Sequence, residues 1–247
     1  MLRTIKETLK EFGWIPRCTA RWHLPCVAFG ASLLFFLVGI DRFPLLDRDE
    51  PRFSEATREM IERGDALVPW FNGAERLDKP PLFYWLQAAG WWVFGASDAT
   101  ARLPSVACAA LTVLAAALWA RRIAGELAGW FAFLILATIP QLQIHARLAV
   151  ADMPMVLAFI LASWSGWELS RTTRTTRWGL LLILSLASGF LAKGPVAWIP
   201  AVPAFVSAWS AARASGETTA LRRLLVRWTF GALATLGLVG LWGIPAL

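Results

Sequence analysis

LFYWLQAAGWWVF (residues 82–94) is apolar almost throughout, yet it has only about two-thirds of the ~20 residues that a helix needs to cross a bilayer. Whether it crosses a membrane or lies along it decides the side on which every later loop falls. The chain around it is built for lipid. Of its 247 residues 57% are hydrophobic, and it holds 15 Trp against 1 Tyr; soluble domains sit below that apolar fraction. Nearly charge-free runs cover residues 22–40, 103–120, 127–144, 153–167, 178–192, 194–212 and 228–247. They are apolar all round, unlike the one-sided helices of soluble proteins. The pattern predicts an all-α, polytopic membrane protein with about seven transmembrane helices.

Charge orients the bundle, because cytoplasmic loops are enriched in Lys and Arg. With residues 1–21 inside, the inner segments hold 14 basic residues against 5 acids and the outer ones 10 against 12. Residues 1–21 then form a cytoplasmic basic N-terminus, 22–40 the first span, 41–102 one large external loop, and 103–247 six further spans. Counting residues 82–94 as a span would put the arginine clusters outside. The stretch is therefore expected to lie flat. The lead before residue 22 is long and basic, and no small-x-small cleavage pattern follows the first run, so that run reads as an uncleaved anchor. Cys18, Cys26 and Cys108 have no paired spacing, so they suggest neither a disulfide framework nor a zinc site. The net charge of +7 is dispersed among apolar runs, which argues against a nucleic-acid partner.

Two interfacial helices are expected in the external loop. The first follows Asp49 or Glu50 as cap, with Pro51 in its first turn and Gly64 as its stop. Phe53, Ala56, Met60 and Ile61 recur at helical spacing, while Glu55, Glu59, Glu62 and Arg63 read as a solvated face. The second begins at Pro80–Pro81 and contains the opening stretch. Solvation does not account for the tight Asp47-Arg48-Asp49-Glu50-Pro51-Arg52 sequence.

Ionisable residues near membrane depth are costly and point to function. Lys79, Asp152 and Lys193 all fall on the outer side of this topology, together with Asp49 and Glu50. Each also has a plain local reading: Lys79 snorkels to the interface, Asp152 caps a helix, and Lys193 sits at a helix C-terminus. Their common side carries the signal. Lys and Arg hold phosphate, a carboxylate takes the proton from an attacking hydroxyl or amine, and two carboxylates can share a divalent ion. The set suits transfer from a phosphorylated lipid.

RDEPRFSEATREM, RLDKPPLFYWLQAAGWWVFG, ARLPS, RLAVADMP and FLAKGP, in this order, resemble the N-terminal half of polyprenyl-phosphate-dependent glycosyltransferases of the C superfamily. Within it the chain is most similar to aminoarabinose transferases and protein O-mannosyltransferase-like enzymes. The resemblance implies a multi-pass protein of the bacterial inner membrane. It would transfer a sugar with inversion, at the periplasmic face, from a polyprenyl-phosphate donor to an envelope acceptor such as lipid A, protein or another glycan. It places Asp49 as catalytic base or metal-associated carboxylate and Asp152 as the second acid. Glu50, Arg52, Lys79 and Lys193 become substrate contacts, with Lys79 on the lipid phosphate. Asp78 stands where relatives often carry Glu, a shorter reach for any metal at Asp49 and Asp78. Family members continue through many more membrane helices, so their C-terminal half is expected to be missing here.

Two other readings stay open: a transporter or flippase-like protein, and an inactive truncated remnant. A transporter would show mid-membrane polar breaks and a repeated half, and no internal repeat is visible. In a background without Cys18, Cys26 and Cys108, Asp49→Cys and Asp152→Cys should react with an impermeant maleimide from outside intact cells, and Arg174→Cys only after lysis. Labelling of positions 49 and 152 from opposite sides would overturn the topology.

Overall fold

The computed structural model describes residues 23–46, 48–169, 175–199, 201–214 and 218–246. The basic lead at 1–21, Cys18, Asp47, Arg171 and Arg174 lie outside the described residues. In chain order the elements are α1 (His23–Leu37), α2 (Asp49–Arg63), β1 (Trp70–Phe71), β2 (Ala74–Glu75), α3 (Leu82–Phe94), α4 (Asp98–Ala124), α5 (Glu126–Thr138), α6 (Pro140–Ala146), α7 (Asp152–Leu169), α8 (Thr175–Lys193), a 3-10 turn (Pro195–Trp198), α9 (Ala201–Ala214) and α10 (Thr218–Gly243).

Helix α4 stands at the centre, packed by α1, α3, α5 and α7. Ser97 starts it with a capping box: its Oγ accepts from the Thr100 N–H (3.2 Å), and Thr100 Oγ1 accepts from the Ser97 N–H (2.9 Å). The faces that meet are lined by small residues. Ala109, Ala110, Val113 and Ala117 of α4 are buried with Leu24, Ala28 and Phe36 of α1 and Phe133 and Ala137 of α5. Small side chains let helix backbones approach closely, which is how helices associate where lipid is as apolar as the helix. Gly129 of α5 marks the closest approach. A Cβ there would lie 2.6 Å from Leu24 Cδ2 and 3.0 Å from the Ala117 carbonyl oxygen.

Several expectations need correction. The all-α prediction missed a two-stranded antiparallel hairpin, with Trp70 opposite Glu75 and Phe71 opposite Ala74. Asn72 (φ 53) and Gly73 (φ 75) form its turn, the Asn-Gly pair that tight two-residue hairpins favour. Helix α2 starts at Asp49 with no side-chain cap, and Ile61, expected on the apolar face, is exposed. Phe53, Ala56 and Met60 are buried as expected, and Gly64 ends the helix at φ 67.

The apolar runs also divide differently. Residues 127–144 form two helices bent by 63° at Ile139, because the residue before a proline is pushed out of the helical region. The run at 194–212 opens with Gly194 at φ 77 and the 3-10 turn. Among the described residues α4 alone is long and apolar enough to cross a membrane as one piece; α5 with α6 adds a second as a bent pair. Asp152, Glu168, Arg177 and Lys193 lie near the ends of α7 and α8 and shorten the apolar stretch between.

The external-loop elements gather at one end of the bundle. Helices α2 and α3 share a core in which Phe53 packs edge-on against Phe83 (5.1 Å between centroids). Buried Gln87 of α3 donates to Ser54 Oγ (3.2 Å) and the Ala101 carbonyl (3.2 Å), and accepts from Thr57. The loop at residues 65–68 is fastened by two indoles: Trp85 Nε1 donates to the Ala66 carbonyl (2.7 Å) and Trp242 Nε1 to the Leu67 carbonyl (2.8 Å). Trp242 belongs to α10, so the end of that helix lies beside the loop.

Gly129→Val should destabilise the protein by about 1–3 kcal/mol through overpacking, read as a lower melting temperature in detergent. Gly30→Ala, where an added Cβ meets nothing within 4 Å, should not lower it.

Candidate active site

Asp49 begins α2, is exposed, and has no hydrogen-bond or ion-pair partner among the described residues. Its neighbour Glu50 is the opposite case: fully buried, with both oxygens occupied. Oε1 accepts from Arg102 Nε (2.8 Å) and the Ala149 N–H (2.7 Å), and Oε2 from Arg102 Nη2 (3.0 Å) and the Leu46 N–H (2.7 Å). The other Arg102 donors go to the carbonyls of Ile40 (2.6 Å), Phe43 (2.9 Å) and Pro44 (2.8 Å). A carboxylate with four donors already on it has no lone pair to offer a substrate. The substrate contact expected of Glu50 is therefore replaced by an internal role.

Asp152 and Lys193, expected from sequence to share a site, meet directly in an ion pair between the first residue of α7 and the last of α8. Both side chains are partly exposed, at 27% and 31%, so the pair borders an accessible surface. Each charge also suits its helix end, acid at the N-terminus and cation at the C-terminus. The plain reading of Lys193 at a helix C-terminus holds alongside the pairing, whereas the cap expected of Asp152 does not. Asp152 occupies the first turn and not the cap position.

Lys79 precedes the turn into α3. It is half-buried and, like half-buried Arg52 on the first turn of α2, has no ion-pair partner among the described residues. Asp78 is exposed and lies 3.0 Å from Arg76 Nε. The Arg76 N–H points elsewhere, so this is an ion pair and not a hydrogen bond. The Arg76 guanidinium sits over Phe53 (5.4 Å) and Phe71 (5.6 Å) and ties the Asp78–Lys79 segment to α2. Beside it, buried Tyr84 has no hydrogen-bond partner of good geometry for its hydroxyl. Burial pushes its phenol well above the ordinary range.

Among the described residues no three His, Cys, Asp or Glu side chains converge as a metal ion would require. Asp78, expected with Asp49 as a metal pair, is engaged with Arg76. Glu59, expected on the solvated face, is buried and accepts from the N–H groups of Asn72 (2.6 Å) and Gly73 (3.1 Å), which anchors the hairpin turn to α2. Glu55, Arg58 and Glu62 do form a wet ion-pair ladder, and the Arg58 hydrogen bond holds the Glu55 carboxyl below its usual range. Arg102 lies inside the ARLPS motif, but the sequence alone assigned it no role. An arginine in the second turn of an apolar helix is the signal that would have found it.

Residues 78–242 match the family model for dolichyl-phosphate-mannose-protein mannosyltransferases. The chain belongs to this family. It is 34% identical over 183 residues to an undecaprenyl phosphate-alpha-4-amino-4-deoxy-L-arabinose arabinosyl transferase of Pseudomonas aeruginosa (strain UCBPP-PA14), covering 72% of this chain and 33% of that protein. It is 31% identical over 225 residues to the enzyme of the same name from Edwardsiella ictaluri, covering 89% and 38%. The chain thus spans about a third of the length of the curated relatives it matches. Its fold is that of ArnT from Cupriavidus metallidurans, a structure solved bound to undecaprenyl phosphate. The TM-score is 0.76 at 23% identity, over 92% of this chain and 42% of that one. The apo form of the same protein matches with a TM-score of 0.75. The protein is accordingly a helical membrane protein of the mannosyltransferase family.

Arg102→Ala leaves Glu50 a buried charge without its cation, and breaking such a pair costs about 3–5 kcal/mol. Thermal unfolding in detergent should register that loss, whereas Arg58→Ala on the exposed, solvent-screened ladder should leave the melting temperature nearly unchanged.

Proposed function

We propose that the chain acts as a membrane glycosyltransferase, moving a sugar from a polyprenyl-phosphate carrier to an envelope acceptor at the periplasmic face of a bacterial inner membrane. In this reading the N-terminus is cytoplasmic and the apolar runs cross seven times. Helices α2 and α3 and the hairpin lie on the outer surface. The acceptor class is lipid A, protein or another envelope glycan. The observation that supports the reading is the bonding that draws charged segments together: Glu50, next to Asp49, accepts from the Ala149 N–H before Asp152, and Asp152 pairs with Lys193. Lys79 lies on the segment that Arg76 ties to α2. Names of relatives that use an undecaprenyl-phosphate-linked sugar support the same donor class.

The chemistry follows from which groups are free. Asp49 is exposed and unpartnered among the described residues, so it is the base that takes the proton from the acceptor hydroxyl or amine. The acceptor atom then bonds to the anomeric carbon from the face opposite the phosphate. The carbon–oxygen bond to the carrier breaks, and polyprenyl phosphate leaves with the electron pair. Lys79 and Arg52, cations without internal partners among the described residues, stabilise the charge growing on that phosphate. Asp152 is already held by Lys193, which suits it to fixing the donor sugar or the acceptor and not to accepting a proton.

Asp49→Asn should lower transfer from a radiolabelled polyprenyl-phosphate sugar in isolated membranes by at least about 100-fold, the usual scale for a general base. Lys79→Met should chiefly raise the KM for the lipid donor. Undiminished transfer by the Asp49→Asn protein would remove that residue from the mechanism.

A further inference from the structure

Neither acid fixes its place relative to the other by its own contacts: Asp49 has no partner among the described residues, and Asp152 is held only by Lys193. Asp49 is exposed at a helix start that lacks a side-chain cap, and Asp152 follows a turn at residues 147–151. What joins them is one residue away from the first and three from the second. Glu50 Oε1 accepts from Arg102 Nε and from the Ala149 N–H, so a single carboxylate oxygen bonds α4 and the turn that leads into Asp152. Glu50 Oε2 accepts from Arg102 and from the Leu46 N–H, in the segment that leads into Asp49. Arg102 also collects the carbonyls of Ile40, Phe43 and Pro44, the chain leaving α1.

We propose that Glu50 and Arg102 are positioning residues that set the placement of Asp49 relative to Asp152. The inference rests on the reading of Asp49 and Asp152 as the acting carboxylates. The physical argument concerns geometry as well as charge. The guanidinium is a planar fork whose five N–H groups reach the carboxylate edge-on and three carbonyls at once. Lysine supplies the same charge at one point and can satisfy only part of that set. A pair that merely stabilised the fold would, once weakened, lower the melting temperature and leave the site intact below it. A positioning pair must also let α2 and α7 move relative to each other while folded.

The two roles separate in Arg102→Lys. With Cys18, Cys26 and Cys108 replaced, spin labels at exposed Ile61 of α2 and Phe159 of α7 report the distance between these helices by pulsed electron resonance in proteoliposomes. The Arg102→Lys protein should show a broadened distance distribution. It should also show a kcat lowered more than tenfold with the KM for the lipid donor within threefold of the parent. Glu50→Gln, which keeps the shape but turns an acceptor into a donor facing other donors, should do the same. If Arg102→Lys does not accumulate as folded protein, Ala149→Pro decides: it deletes the one N–H linking Glu50 to the turn before Asp152 and leaves the ion pair. An unchanged distribution in the folded variants overturns the proposal, as does a full kcat. The distance measurement does not require turnover, so it is independent of the Asp49→Asn assay. Activity retained in Asp49→Asn with a broadened distribution here would sink the reading of the site and leave the coupling of the helices in place.

Discussion

A carboxylate and a guanidinium taken out of water form the joint on which one end of this protein's helix bundle is assembled. Desolvating two such charges costs several kcal/mol each, and mutual attraction alone does not reliably offset it. Glu50 and Arg102 survive burial because every oxygen and every N–H between them has a partner: two backbone N–H groups, three carbonyls and the paired contacts themselves. A half-satisfied network would be worse than an apolar one. The completeness of this one is why three stretches far apart in sequence, residues 40–50, Arg102 and Ala149, converge within a few ångströms.

Below that joint, association proceeds by a different means. The alanine-rich face of α4 meets α1 and α5, with Gly129 admitting the Leu24 side chain and the Ala117 carbonyl. Among lipid tails apolar burial gives no preference for a partner helix, so close backbone approach decides which faces meet. The polar joint orders one end and the small-residue seam orders the shaft. Helix α4 takes part in both, through Arg102 near one end and Ala117 near the other.

How much of this is readable from the chain depends on whether a residue's role is local or distant. The α2 boundaries and its Phe53–Ala56–Met60 stripe follow from spacing, since a helix buries residues three and four apart. The cost of charge near apolar runs singles out Lys193 and Asp152, and their meeting follows from the ends of two packed helices. Glu59 and Glu50 are misleading for one reason. Both look like surface acids in a charged segment, and only the distant partners, the Asn72–Gly73 turn for one and Arg102 for the other, draw them inside. The Asn-Gly signal and the break before Pro140 are local and legible, but long apolar runs mask them.

The two indoles that hold residues 65–68 differ in when they become available. Trp85 lies close by, while Trp242 is 175 positions along the chain from Leu67. A ribosome making this polypeptide emits the loop at residues 65–68 well before the indole that completes its fastening, which follows 175 residues after Leu67. The loop thus waits on a distant helix, and this hydrogen bond closes only after α10 has been made and has reached it.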